Sequence, residues 1–257
     1  MKILRVLLLP LLALSFVACD EDSTTPSTTG TLSVRLTDAP ADYDAVRITF
    51  AEIAAHIDDK WVTVNGNPVT VNLLEWNNGK SIEIGRAELG PGKYTQIRLM
   101  VTKAELDVDG KTWNLDIPSA DQTGLKLNGN FDVVAGSTYE LMLDFDASKS
   151  IVRMGPPNNP NGYKLQPTIR VIEKGMSGSV GGKVQDTPVT ALATVSQNGA
   201  DITSTPVDEI TGEFLLAFLA PGTYTVRVED VNGKIYTAAD VIVEAGKKTD
   251  LGMVQLQ

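Results

Sequence analysis

Thr31-Leu32-Ser33-Val34-Arg35-Leu36-Thr37 alternates polar and apolar side chains at every step. A period of two puts Leu32, Val34 and Leu36 on one face of an extended chain, because successive side chains of a strand point to opposite sides. The pattern recurs along the chain: Val46, Ile48 and Phe50 alternate with Arg47 and Thr49, then come Ile97, Leu99 and Val101, and later Tyr139, Leu141, Leu143 and Phe145. Val62 and Val64 precede Asn65-Gly66, and Val69, Val71 and Leu73 follow it. That arrangement predicts a hairpin, since Asn-Gly accepts the positive φ of a tight turn. Asp109-Gly110 likewise joins Leu106-Val108 to Trp113, Leu115 and Ile117, and Asn232-Gly233 marks another hairpin. No segment carries the 3.6 period of a long amphipathic helix; Ala51 to Ile57 reads as either a strand end or a short helix. Many short strands between turn residues predict an all-β protein.

Two stretches repeat. Leu89-Gly90-Pro91-Gly92-Lys93-Tyr94-Thr95 is echoed by Leu219-Ala220-Pro221-Gly222-Thr223-Tyr224-Thr225, and Val133-Val134-Ala135-Gly136 by Val243-Glu244-Ala245-Gly246. Pro-Gly sets a turn, after which the tyrosine enters a strand. The echo predicts two tandem Ig-like or transthyretin-like β-sandwiches, residues 30–174 and 177–257, with a boundary in the Gly/Ser-rich run from Lys174 to Gly182. The paired glycines are 136 − 92 = 44 positions apart in the first unit and 246 − 222 = 24 in the second, so the first holds an insertion containing Trp113 and the Ser119-to-Asn130 loop.

The N-terminus reads differently. Lys2 and Arg5 precede a run from Val6 to Val17 that is almost wholly apolar. It is too short for a membrane span, which takes about 20 residues, and fits a secretory signal. Phe16-Val17-Ala18-Cys19 resembles the lipobox of bacterial lipoproteins. The resemblance implies a signal peptide over 1–18 and a diacylglyceryl group on Cys19, the sole cysteine of the chain. Residues 19–29 are acidic, then rich in Ser and Thr, and predict a disordered tether. Acidic residues at this place resemble the surface-export signals of Bacteroidetes-type lipoproteins, while Asp20 also resembles an inner-membrane retention signal of enteric bacteria. Outer membrane or cell surface is the favoured location. The net charge is −10, and loss of Lys2 and Arg5 with the signal peptide makes it 20 − 32 = −12. An acidic chain argues against a nucleic-acid partner.

The segment Gly30-Thr31-Leu32-Ser33-Val34-Arg35-Leu36-Thr37-Asp38-Ala39-Pro40-Ala41 resembles the opening of the bacterial family known as domain of unknown function 4382 (DUF4382). Pro91 to Leu99, Gly124 to Leu127, Leu143 to Val152 and Leu165 to Val171 extend the likeness over about residues 30 to 173. Residues 177–257 resemble a carboxypeptidase-regulatory-like domain through the Pro221-Gly222-Thr223-Tyr224-Thr225 turn and the terminal strand pair. The first likeness implies an exported lipoprotein with no assigned activity. The second implies a fold similar to starch-binding domains, hence carbohydrate binding, which is fold analogy alone.

Candidate chemistry is sparse. His56 is the only histidine, no Gly-x-Ser-x-Gly elbow is present, and Cys19 is the residue that the lipobox resemblance assigns to lipid. A catalytic triad and a zinc site both need more than this. Asp58-Asp59, Asp107 with Asp109, and Asp144 with Asp146 are paired carboxylates. Asp107, Asp109, Asp144 and Asp146 are weak calcium candidates, since an Asp-x-Asp on a strand aims both side chains the same way. Asp144 and Asp146 alternate with Leu143 and Phe145, which places them on the solvated face. Trp61 and Trp113 sit beside apolar strand residues, whereas Trp76 lies in a loop and is the candidate platform for a sugar. The expected protein is a non-enzymatic, lipid-anchored envelope module without cofactor. Its partners are the membrane, through acylated Cys19, and an unknown protein or glycan, met by the loops Asp38 to Asp44, Glu75 to Ser81 and Gly155 to Gly162. A carbohydrate-binding protein using loop aromatics and a hydrolase with an unrecognised carboxylate site are the alternatives.

Overall fold

The computed structural model describes residues 27–117, 124–156 and 161–257; Cys19 and the segment before it lie outside these. The chain is all-β, built as two stacked β-sandwiches. In the first, strands β12 (Ile169–Glu173), β9 (Thr138–Asp146), β1 (Gly30–Ala39) and β5 (Ile82–Leu89) form one sheet in that order. The facing sheet is centred on two long strands, β2 (Ala45–Ile57) and β6 (Gly92–Val108), which pair antiparallel. Ala51–Ile57, ambiguous in sequence, is the second half of β2. Along its length β6 pairs first with β8 (Leu125–Val133) and then with β7 (Lys111–Asp116). Beyond β7 lie β11 (Gly162–Leu165) and β10 (Ile151–Met154). Leu32, Val34 and Leu36 of β1 and Leu141, Leu143 and Phe145 of β9 meet Ile48, Phe50, Ile97 and Leu99 in the core, every one of them at most 2% exposed.

Asn65-Gly66 does not form the expected hairpin. Strands β3 (Lys60–Asn65) and β4 (Val69–Asn72) both pair with β2, end to end along one edge. Asn65 Nδ2 donates to the Ile84 carbonyl (2.8 Å) and Oδ1 accepts from Asn67 N–H (2.9 Å), while Pro68 has no N–H to offer the ladder. The result is a kink in one line of chain. Reversal happens one step earlier, at Asp58 and Asp59, whose φ values of 46° and 57° make the two-residue turn between Ile57 and Lys60. Asp109 (φ 52°) and Gly110 (φ 71°) make the same turn between β6 and β7, as expected.

The second sandwich has a sheet of β16 (Glu213–Leu219), β13 (Gly178–Val184) and β19 (Lys248–Val254). Its other sheet runs β15 (Ala200–Pro206), β14 (Ala191–Gln197), β17 (Gly222–Asp230) and β18 (Ile235–Val243). The glycine-rich run read as a boundary is half strand. Gly181 and Gly182 sit inside β13 because Lys248 Cε and Phe214 Cζ lie where a Cβ would be, 2.6 and 2.9 Å away.

Both sandwiches share one wiring. The first strand pairs antiparallel with the strand before the Pro-Gly turn and parallel with the strand after the repeated Ala-Gly: β1 with β5 and β9, β13 with β16 and β19. The repeated tyrosine has the same task twice. Tyr94 Oη donates to the Gly90 carbonyl (3.0 Å) and Tyr224 Oη to the Ala220 carbonyl (2.8 Å), with both rings buried. This ties the turn to the sandwich end in the manner of a tyrosine corner. Tyr94→Phe is expected to keep the ring's packing and lose about 1 kcal/mol, the net worth of one hydrogen bond; urea denaturation measures it, and an unchanged midpoint would mean the corner contributes nothing.

The outer face of the β12-β9-β1-β5 sheet is only partly solvated. Ser33, Met142, Thr37, Asp144 and Asp146 are all buried, at 0, 0, 4, 6 and 9% exposure. The second sandwich lies over it through β15 and β16, so the solvated position expected for Asp144 and Asp146 is corrected. Asn78 Oδ1 accepts from Leu215 N–H on the edge strand β16 (2.6 Å). Gly79, at φ 79°, admits the Leu215 side chain to within 2.6 Å of where a Cβ would stand. Among the described residues no helix is long and apolar enough to cross a membrane.

Candidate functional site

Beyond Ala39 the chain leaves the sheet. Pro40 ends the ladder because it carries no N–H. The loop 40–44 then closes on itself and on β6: Tyr43 N–H donates to the Ala41 carbonyl (3.0 Å) and Asp44 N–H to the Asp107 carbonyl (2.9 Å). Asp109 of the β6–β7 turn, Ser148 of the short helix α1 (Ala147–Ser150), Arg153 of β10 and Tyr163 of β11 come up beside it. Together they line an open hollow of about 630 Å³, within the usual size of a small-ligand site.

The floor of this hollow is rigid. Tyr163 is 6% exposed and meets Trp113 edge-on at 5.4 Å. Arg47 reaches Asp107 Oδ2 at 2.6 Å and Thr112 Oγ1 donates to Oδ1 at 2.7 Å. Arg47 first, then Thr112, holds the Asp107 carboxyl below its ordinary range. On the other side, Asp146 caps α1. Its Oδ1 accepts from Lys149 N–H (3.0 Å) and Ser148 Oγ (2.6 Å), and Lys149 Nζ sits 2.8 Å from Oδ2. Burial pushes the Asp146 carboxyl up, but Lys149 and Ser148 outweigh it and keep the group low.

Tyr43 is half-buried at the rim, between exposed Asp42 and Asp44. Burial pushes its hydroxyl up, and neighbouring Tyr163 adds to this while Arg153 opposes it. Tyr43 therefore stays a neutral donor at neutral pH. A buried aromatic ring, a phenol, carboxylate acceptors and one guanidinium set hydrogen-bond donors and acceptors side by side on one surface. Neither a histidine nor a cysteine lines it.

The structure scatters the residues that sequence singled out. His56 Nδ1 lies 2.9 Å from Thr95 Oγ1 and its ring 4.9 Å from Trp61, which also carries Arg98 over its face at 4.6 Å. Trp113 holds Lys111 Nζ over its ring at 3.3 Å. Trp76 is half-buried against the first core, and its carbonyl accepts from Asp38 N–H (2.8 Å) and Thr37 Oγ1 (2.9 Å). The loop that carries it, with Asn78 and Gly79, docks the second sandwich. Asp107 is taken by Arg47, Asp109 forms a turn, Asp144 pairs with Arg170, and Asp146 caps α1. Among the described residues no group of three or more His, Cys, Asp or Glu is placed to hold a metal ion. Of the three expected loops, 38–44 lines the hollow through Ala41 to Asp44, and 155–162 supplies no lining residue among its described positions; residues 157–160 lie outside the described residues, as do residues 118–123 of the insertion. Tyr163 and Arg153 were missed. Tyr163 follows Gly162 in strand order and carried no mark of its own, and only the pairing of β11 with β7 brings it beside Tyr43.

A family model described as "Domain of unknown function (DUF4382)" matches residues 29–167. No curated protein matches. Among solved structures, the chain is similar to the Bacillus anthracis TIE protein (13% identity, TM-score 0.24, covering 89% of this chain and 34% of that one). It is also similar to GBS52, the minor pilin of Streptococcus agalactiae (10%, 0.22, 87% and 94%). A third is a fimbrial protein from Bacteroides ovatus (11%, 0.22, 89% and 50%). The chain thus spans about a third of the length of the first of these.

Proposed function

The chain belongs to the DUF4382 family, and from that premise we propose that it is a non-enzymatic recognition module of the bacterial cell envelope, lipid-anchored at Cys19, at the outer membrane or cell surface. On this reading the first unit takes residues 30–174, and residues 177–257 are a carboxypeptidase-regulatory-like unit docked on its side. The repeated wiring of the two sheets supports that pairing.

One observation carries the reading. β1 begins at Gly30, next to the tether, and crosses the whole sandwich before its far end opens into the Tyr43 hollow. Ten residues at roughly 3.3 Å each put the two about 30 Å apart. A lipid at one pole and a ligand surface at the other is the layout of a module that faces away from its membrane. Residues 20–26, at no more than about 3.5 Å each, would add up to a further ~25 Å of reach.

A glycan is the ligand class we favour. The hollow sets a tyrosine ring among carboxylates and a guanidinium, which suits hydroxyl-rich rings. Trp76, half-buried and tied down by its backbone, is less suited to that role. Binding of the protein to polysaccharide isolated from its own envelope is expected to weaken at least tenfold in Tyr43→Ala, about the loss of one aromatic anchor, while Ile242→Ala on the far sandwich binds as wild type. Retained affinity in Tyr43→Ala would move the ligand elsewhere.

A further inference from the structure

Between the two sandwiches lies an open cleft of about 640 Å³. One wall is the outer face of the first sandwich at Arg35 of β1, and the other is the outer face of the second at Lys248 of β19. Among the described residues its lining holds four cations, Arg35, Lys174, Lys247 and Lys248, and one carboxylate, Glu140. Positive charge is thus gathered in one place on a chain whose net charge is −10.

The cations are held in different ways. Arg35 donates from Nε to Ser81 Oγ and from a terminal nitrogen to the Ser81 carbonyl, both at 3.0 Å. These bonds fix the plane of the guanidinium. Glu83 stands 3.9 Å from Arg35 and is already engaged by Arg86 (2.7 Å) and Ser33 (2.7 Å). Lys174 pairs with Glu140 at 2.8 Å and Lys247 with Glu244. Both pairs are open to water, so they contribute little and can be shared with an incoming anion. Lys248 has no hydrogen bond or ion pair among the described residues, yet it is not splayed into solvent. Its Cε lies 2.6 Å and its Nζ 3.1 Å from where a Cβ of Gly181 would stand. The missing side chain lets the lysine stem lie flat across β13, with its ammonium unclaimed.

The cleft does not end there. Leu215 and Lys248 also line a groove that continues over the outer face of the β16-β13-β19 sheet to Lys183. Glu213 and Asp250 balance the lysines along that stretch, so the excess charge stays in the cleft.

We propose that the cleft binds an acidic glycan: Arg35 and Lys248 take a carboxylate of the sugar chain, and the neighbouring units lie along the groove toward Lys183. The fixed fork of the guanidinium suits a carboxylate. Ser81 and Ser179, beside the cations, can bond the hydroxyls next to a sugar carboxylate, which an acidic peptide does not bring. An open groove that runs on past the charged cleft fits a linear chain. This site is separate from the Tyr43 hollow and does not depend on it.

Fluorescently labelled oligogalacturonate, titrated into the full chain, tests this. Binding is expected to weaken at least tenfold in Lys248→Gln. A similar loss is expected in Gly181→Ala, which keeps every charge but pushes the lysine stem off the strand. Lys60→Gln, at a turn of the opposite sheet, removes the same charge and is expected to bind as wild type, as is Tyr43→Ala. Added salt should weaken the wild type. Absence of wild-type binding overturns the proposal, as does full affinity in Lys248→Gln or an equal loss in Lys60→Gln. Poly-glutamate bound as tightly as the glycan overturns the sugar, and loss in Tyr43→Ala overturns a separate site. Should Gly181→Ala not fold, Lys248→Gln against Lys60→Gln decides.

Discussion

Cys19→Ala is expected to take up no radiolabelled palmitate and to leave the membrane fraction completely, with its fold unchanged. The argument is one of chain number and position. A single acyl chain, at about 0.8 kcal/mol per buried CH₂, binds a bilayer only marginally, whereas two or three hold it stably. The Val6–Val17 run is too short to span and would be removed with residues 1–18. No other residue supplies an anchor on this reading, so the loss should be all-or-none. Residues from Ser27 onward form the folded part, and Cys19 lies well before it, so stability should not move. Protease shaving of whole cells then reports the leaflet. Wild-type protein that carries no label, or Cys19→Ala that still sediments with membranes, would remove the anchor from the proposal.

Arg170→Ala is expected to cost about 3 kcal/mol of stability. Asp144 faces Arg170 directly across the β9–β12 pair and takes hydrogen bonds from its Nε (2.9 Å) and a terminal nitrogen. The aspartate side chain is 7% exposed and the arginine 29%. Removing the cation from a buried pair leaves the other charge uncompensated, at about 3–5 kcal/mol; partial access of water to the arginine side argues for the low end. The pH dependence follows from the sign of the shift. Burial already pushes Asp144 up and Arg170 opposes that, so loss of Arg170 raises it further. The variant's folded form then holds its proton more tightly than the unfolded chain does. Its deficit should be small in acid and should grow as pH rises above the ordinary carboxylate range. Urea denaturation at pH 4.5 and 8 measures this. Adding Asp144→Asn to Arg170→Ala should recover more than half of the loss at pH 8, because no charge then remains to be stranded. A deficit independent of pH would mean that Arg170 works through packing of its stem.

What could be read from the sequence, and what could not, follows from how far apart the interacting residues are. The period-two runs gave strand faces because that signal is local, and Asp109-Gly110 gave its turn for the same reason. The Pro-Gly-x-Tyr echo found both turns and the strands that their tyrosines enter, while the four-residue hydrogen bonds from Tyr94 and Tyr224 back to the turn are seen only in the structure. Asn65-Gly66 misled because the partner of β3 and β4 is β2, a 13-residue strand with room for both, and a dipeptide carries no record of that length. Asn198-Gly199, with φ values of 52° and 81°, makes a hairpin between β14 and β15 that the same signal would have found. Alternation showed that Asp144 turns away from the first core, but nothing local records that a second sandwich lies over that side. The hollow was half legible: its loop after Pro40 was, but Arg153 and Tyr163 arrive from more than 100 residues downstream.

The parallel pairing of β1 with β9 over Thr31–Ala39 has a mechanical meaning. On the proposed reading, a ligand held at the Tyr43 loop would pull on the chain just after Ala39, and a lipid just before Gly30. The load therefore runs along β1, which is bonded on both flanks, by β5 and by β9. With both loads on one strand that is already extended, the covalent backbone of β1 carries the tension, and the hydrogen bonds on either flank are asked neither to slide nor to unzip. The strand between anchor and grip would then pass a pull through the first sandwich without unfolding it.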